Sequence, residues 1–190
     1  VLSIQTRLLP PQKENITLIS TPDTRDNLKI YKTTNRTINE QAHQLAIQND
    51  ADDAVFVHNG RLIESTMGNI FSINKNGEII TPPNTEKGFQ GITRQIIMEQ
   101  ESVLEEEIPE DTTAPLVIVN SLRIQKVTHL NKKKLSNSED LFQKIKIILN
   151  KTEVNYLSST TVKTSSGEKD PHKEKNEIYY QKLSHWIEPE

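Results

Sequence analysis

Apolar positions in the first 150 residues recur with two periods. A period of two, the mark of strands, runs through Leu2, Ile4, Thr6 and Leu8, then Ile16-Thr17-Leu18-Ile19, then Leu28, Ile30 and Tyr31. Further short runs are Ala54-Val55-Phe56-Val57, Arg61-Leu62-Ile63-Glu64, Asn69-Ile70-Phe71-Ser72-Ile73, Glu78-Ile79-Ile80-Thr81 and Leu116-Val117-Ile118-Val119, with Ile124, Val127 and Leu130 as one more. Asn59-Gly60 and Thr66-Met67-Gly68 punctuate three of these runs, which predicts three adjacent strands. A helical stripe is formed by Ile38, Ala42, Leu45 and Ala46 within Thr37 to Asn49, and a second by Ile92, Ile96 and Ile97 in a helix that Gly91 opens. The third, Leu141, Phe142, Ile145, Ile148 and Leu149, follows a Ser138 placed to cap it. The acidic run from Glu101 to Glu107 reads as a solvated edge strand or helix end.

The pattern stops near residue 150, which divides the chain into a domain over 1–150 and a polar tail over 151–190. The tail is rich in Ser, Thr, Lys and Glu and reads as a disordered linker ending in a short segment around Trp186. With 33% hydrophobic and 26% charged residues, the 190-residue chain can build one core. A net charge of −3 gives no electrostatic case for nucleic acid or an anionic membrane. No apolar run approaches the roughly 18 residues of a membrane span. No secretory signal pattern follows Val1. Zero cysteines exclude disulfides and thiolate metal sites and fit a cytoplasmic location. The five histidines lack metal-ligand spacing, so no metal is expected.

Candidate chemistry sits at strand ends. Lys32 follows Leu28, Ile30 and Tyr31 at a strand-to-loop junction, and Glu64 closes the Arg61 run. Each alone is an ordinary surface residue. The wording around them is more specific: KTTNR at 32–36, ADDAVFVHNGRLIEST at 51–66 and GNIF at 68–71. This stretch resembles the class IV aminotransferase family of pyridoxal 5'-phosphate (PLP) enzymes, of fold type IV. The resemblance implies an α/β fold, the family's large domain, with a mixed sheet or barrel-like core and flanking helices. It implies that Lys32 carries the cofactor as a Schiff base and then serves as base and acid. It implies that Glu64 sits beside the pyridine nitrogen and keeps it protonated, with Asn69-Ile70-Phe71 completing the motif.

Two later segments extend the resemblance to roughly residues 15–150. Thr81-Pro82-Pro83, followed by Gly91-Ile92-Thr93-Arg94, is similar to the family's phosphate-binding segment. The Ile92 and Thr93 amides and the Thr93 hydroxyl become candidate phosphate donors, Gly91 permits the close approach, and Arg94 is structural or rim-forming. Asn120-Ser121-Leu122-Arg123 is similar to the 4-amino-4-deoxychorismate lyase branch, with Ser121 a second phosphate donor and Asn120 an orienting group. The implied activity is release of pyruvate from aminodeoxychorismate to give 4-aminobenzoate, a folate precursor. Two readings stay open beside it: a branched-chain or D-amino-acid transaminase using the same Lys32 and Glu64, and a catalytically incomplete cofactor-binding fragment. Intact family members carry a small domain before the lysine, where this chain has 31 residues. That domain supplies an arginine to the cofactor phosphate; neither Arg7 nor Arg25 lies in a matching motif. The expectation is therefore a chain that binds PLP weakly by itself, and a homodimer where the small domain is present.

Overall fold

The structure, a computed structural model, describes residues 13–26, 34–83, 88–100 and 102–160, with backbone alone for 152–160. Their elements in chain order are β1 (Asn15–Pro22), α1 (Thr37–Gln48), β2 (Asp53–His58), β3 (Arg61–Ser65), β4 (Asn69–Ile73) and β5 (Ile79–Thr81). There follow α2 (Ile92–Gln100), β6 (Leu104–Glu105), β7 (Ile108–Pro109), β8 (Leu116–Asn120), β9 (Arg123–Leu130), β10 (Lys133–Lys134) and α3 (Glu139–Thr160). The strand runs at Leu2–Leu8 and Leu28–Tyr31, and Lys32 itself, lie outside the described residues.

All these strands join one mixed sheet in the order β6-β5-β4-β8-β9-β1-β2-β3-β7, with β10 paired to β9. β1 and β2 are parallel, Leu18 opposite Asp53 and Thr21 opposite Phe56, and α1 makes the crossover that parallel neighbours require. Alternation along the strands sorts the core onto two faces. Ile16, Leu18, Val55, Leu62, Ile70, Leu116, Ile118 and Val127 pack together on one face. On the other, Ala54 and Phe56 meet Ala42 and Ala46 of α1. Leu45, expected in that stripe, is 41% exposed, because Ile38, Ala42 and Ala46 already fill the face toward the sheet.

Length forces the sheet to curl. Strands β3 and β4 were expected as neighbours, yet four strands, β8, β9, β1 and β2, separate them in the sheet order. In a flat sheet at ~4.8 Å per step, five steps would set them roughly 24 Å apart. From Ser65 to Asn69 the chain can reach about 15 Å, four Cα–Cα steps of ~3.8 Å. The sheet therefore bends into a half-barrel, and the Ser65 amide, donating to the Gly68 carbonyl at 2.9 Å, closes the link.

Two sequence expectations need correction. The Ser138 hydroxyl does not cap α3; Ser138 is buried with its hydroxyl directed at the Val127 carbonyl (3.5 Å), and Asn137 Oδ1 accepts from the Glu139 amide instead (3.0 Å). Helix α3 also runs on to Thr160, ten residues past the point where the apolar pattern fades, while a first compact unit ends at Lys146. The acidic run does contain a sheet-edge strand, β6, as its charge suggested.

Asp52 fastens the α1–β2 loop to β1. Its Oδ2 accepts from the Thr17 amide (2.8 Å) and hydroxyl (3.1 Å), and its own amide donates to the Thr17 carbonyl (2.9 Å). Desolvation opposes its ionisation, but hydrogen bonds from Lys13 and Thr17 outweigh that and hold the carboxyl below its ordinary range. A depressed carboxyl contributes stability above the unfolded value and loses it as pH falls through the folded one. Urea unfolding should show Asp52→Ala less stable by about 1–2 kcal/mol at pH 7. The gap should narrow as pH is taken below the ordinary value of 3.8. An equal gap at both pH values would contradict the assignment.

Candidate active site

The short link between β3 and β4 is held from three sides. Below it, the Thr66 hydroxyl donates to Asp53 Oδ1 at the start of β2, and the Thr66 carbonyl accepts from Arg36 Nη2 (2.9 Å) and Asn39 Nδ2 (3.2 Å). Inside it, Ser65 Oγ accepts from the amides of Met67 (3.2 Å) and Gly68 (3.0 Å). Across from it, Asn120 Nδ2 donates to the Met67 carbonyl at 2.9 Å and ties the end of β8 to the link. Gly68 lies so close to β8 that a Cβ there would sit 2.6 Å from the Val119 carbonyl oxygen.

Asn69, the first residue of β4, grips the segment leading into α2. Its Nδ2 donates to the Phe89 carbonyl (2.7 Å) and its Oδ1 accepts from the Gly91 amide (3.1 Å). A Cβ on Gly91 would fall 2.5 Å from that Oδ1, so the glycine is required by the grip itself. Helix α2 starts at the next residue. First-turn amides have no acceptor within their helix, and among the described residues the Ile92 and Thr93 amides and the Thr93 and Ser121 hydroxyls make no hydrogen bond. Ile92 is 72% exposed and Ser121 is exposed at the β8–β9 turn. Arg94 is buried and structural, donating to the Pro82 carbonyl (3.1 Å) and pairing with Glu105 (2.6 Å).

Glu64 lies on the other side of the same segment. Its carboxylate is buried, with Oε2 accepting from the Phe89 amide (3.0 Å) and Oε1 from Arg25 Nη1. Arg25 also meets Asp23 at 2.9 Å and covers the Phe56 ring, 3.9 Å from its centroid. Burial lifts the Glu64 carboxyl above its usual range; Arg25 and the Phe89 amide draw it back without cancelling the rise. Burial works against the Arg25 charge too, but Asp23 and Glu64 more than compensate, so its affinity for the proton is raised. The guanidinium stays charged, and Glu64 is the member of the pair able to take up a proton.

The structure thus connects Glu64, Phe89, Asn69 and Gly91 with the start of α2, and Asn120 with the β3–β4 link. Among the described residues no hydrogen bond joins Ser121 to α2, and Lys32 lies outside them. Sequence reasoning gave no part to Arg25, Asp23 or Asp53; Arg25 meets Glu64 across 39 positions and Asp53 meets Thr66 across 13, and no local spacing announces either pair. A cleft of about 460 Å³ lined by Gly60, Glu110 and Asn131 opens at the far end of β3, away from Glu64.

The family model for amino-transferase class IV matches residues 1–130. The chain belongs to this family. Among solved structures, a candidate 4-amino-4-deoxychorismate lyase from Legionella pneumophila is 28% identical, with a TM-score of 0.68 over 77% of this chain and 59% of that one. A fold IV transaminase from Curtobacterium pusillum is 18% identical (TM-score 0.65, 75% of this chain and 54% of that one). An aminotransferase from Brucella abortus bound to PLP is 17% identical (TM-score 0.65, 77% of this chain and 57% of that one). The latter two establish the shared fold, the mixed α/β half-barrel of fold type IV. The chain spans a little over half the length of these class IV structures. None of the curated proteins matches it.

Asn69 carries a structural prediction. Asn69→Ala removes two side-chain hydrogen bonds and leaves the Gly91 amide only its bond to the Phe89 carbonyl (3.1 Å), at a cost of about 1–3 kcal/mol. Amide exchange at Gly91 should accelerate far more than at Thr17 in β1. Equal acceleration at both positions would mean that Asn69 supports the fold in general and not this segment.

Proposed function

We propose that this chain is the large domain of a PLP-dependent enzyme of the 4-amino-4-deoxychorismate lyase kind. The observation that carries the reading is the join between a buried, bonded carboxylate, Glu64, and an open helix N-terminus at Ile92 through the Phe89–Gly91 segment. A cofactor with a basic ring nitrogen at one end and a phosphate at the other fits these opposed groups. The lyase assignment, in preference to transamination, is supported by Asn120-Ser121-Leu122-Arg123 and by the 28% identity to the Legionella protein.

In this reading the Ile92 and Thr93 amides, the Thr93 hydroxyl and the Ser121 hydroxyl replace water around the phosphate, helped by the positive end of the α2 dipole. Gly91 keeps the approach open, and Asn120 fixes the β3–β4 link through Met67. When bound, PLP supplies an electron sink for the pair left behind by a departing proton. Glu64 would hold the ring nitrogen and favour its proton. Lys32, as the attachment lysine, must present an uncharged amine, which desolvation or neighbouring positive charge provides. As a free amine, Lys32 would take the ring proton of the substrate. The enolpyruvyl group leaves, gains a proton and becomes pyruvate, and the ring becomes aromatic as 4-aminobenzoate. The working enzyme is taken to be a cytoplasmic homodimer acting on a small molecule.

Product identity tests this more sharply than rate. With aminodeoxychorismate and PLP, and with the family's small domain joined to this chain, pyruvate and 4-aminobenzoate should appear in equal amounts. Glu64→Gln should slow their release by ~10² or more, the scale for losing a key electrostatic group. A keto acid formed from an amino-acid donor, without pyruvate from aminodeoxychorismate, would overturn the lyase reading in favour of transamination.

A further inference from the structure

We infer that Arg25 is a positioning residue: its guanidinium, boxed by Asp23 and Phe56, holds Glu64 as an oriented carboxylate ready for a ring nitrogen. The inference rests on Glu64 being the ring partner, and it adds a residue outside every motif of the resemblance. Among the described residues, Asp23 and Phe56 hold the guanidinium. Asp23 Oδ1 accepts from both the backbone amide (3.1 Å) and Nε (2.9 Å) of Arg25, and Asp23 Oδ2 accepts from Nη2 (3.2 Å). The Phe56 ring supports the cation from its face at 3.9 Å. Asp23 is itself anchored, its amide donating to the Val57 carbonyl at 2.8 Å. Held this way, Arg25 offers Nη1 to Glu64 Oε1. The Phe89 amide takes Oε2, so the carboxylate plane is set by two donors on different segments. A carboxylate has about four acceptor sites, so two remain for a ligand proton.

Stability gives a poor account of this arrangement. The side chains of Asp23, Arg25 and Glu64 are 0%, 7% and 6% exposed. Buried ion pairs are weak sources of stability, since removing charges from water costs about as much as their attraction returns. Arg25 does for Glu64 what the carboxylate could not do alone: it opposes the burial that favours the protonated carboxyl, and a protonated Glu64 cannot favour a proton on a ring nitrogen. Among the described residues, the charged groups that act on Glu64 are Arg25 and Asp23.

The test follows the Glu64 carboxyl by carbon-13 NMR in glutamate-labelled protein without cofactor, assigned by its loss in Glu64→Gln. Arg25→Gln should raise the Glu64 titration midpoint by about one unit or more, and Arg25→Lys, which keeps the charge, by less. A purely structural arginine would lower the melting temperature and leave that midpoint in place, and an unmoved midpoint in Arg25→Gln overturns the inference. Should Arg25→Gln fail to fold, the guanidinium nitrogens of Arg25 carry the test in the parent and in the near-isosteric Glu64→Gln. Their resonances should follow the Glu64 titration in the parent and lose that pH dependence in the variant; identical behaviour in both overturns the inference. A final arm adds PLP to saturation, judged by its absorbance. A fall in the Glu64 midpoint supports both assignments. A midpoint that answers to Arg25 but not to bound cofactor overturns the ring-partner reading alone.

Discussion

Three residues, Thr66, Met67 and Gly68, have to carry the chain between two strands that lie five steps apart in the sheet. That reach is possible only if the sheet curls, and the curl is what brings the candidate chemistry together. It delivers Glu64 at the end of β3, Asn69 at the start of β4 and Asn120 at the end of β8 to one rim. Gly68 belongs to the same constraint, since the backbone of β8 passes where its side chain would be. The anchors beneath the link, Asp53, Arg36 and Asn39, hold a turn that would otherwise be a strained bridge across the barrel mouth.

From that rim outward, polar groups are connected in series. Arg25 and the Phe89 amide set the Glu64 carboxylate; Asn69 sets Phe89 and Gly91; Gly91 opens α2, whose first amides point away without acceptors. The series has a carboxylate at one end and a helix N-terminus at the other. Those ends differ in what they attract, a proton-bearing nitrogen and an anion, and the fixed backbone between them sets the spacing a ligand must match. The same few bonds therefore explain why a buried charge is tolerated here.

Much of this was legible in the chain itself. Alternating or short apolar runs marked β1, β2, β4, β5, β8 and β9, and Asn59-Gly60, both at positive φ, made the β2–β3 hairpin readable as a tight turn. The separated motifs around Glu64, Gly91 and Asn120 pointed to the family. What stayed hidden was partnership. Alternation says which face a residue takes but not which strand lies beside it, so β3 and β4 looked like neighbours. Arg25 meets Glu64 across 39 positions, and no local spacing encodes that pair. Ser138 has the chemistry of a cap, but burial against β9 turned its hydroxyl elsewhere, and the residue before it took the role.

The central claim is that the stretch from Lys32 to Thr93 seats one cofactor, attached at its lysine and answered by Glu64 and the α2 N-terminus. Covalent mapping tests this most directly. The protein is incubated with PLP, reduced with borohydride, digested, and the modified peptide sequenced by mass spectrometry. The account predicts a single modified residue, Lys32. Modification at Lys29, Lys75 or Lys87 in its place, or spread evenly over the surface lysines, would contradict it.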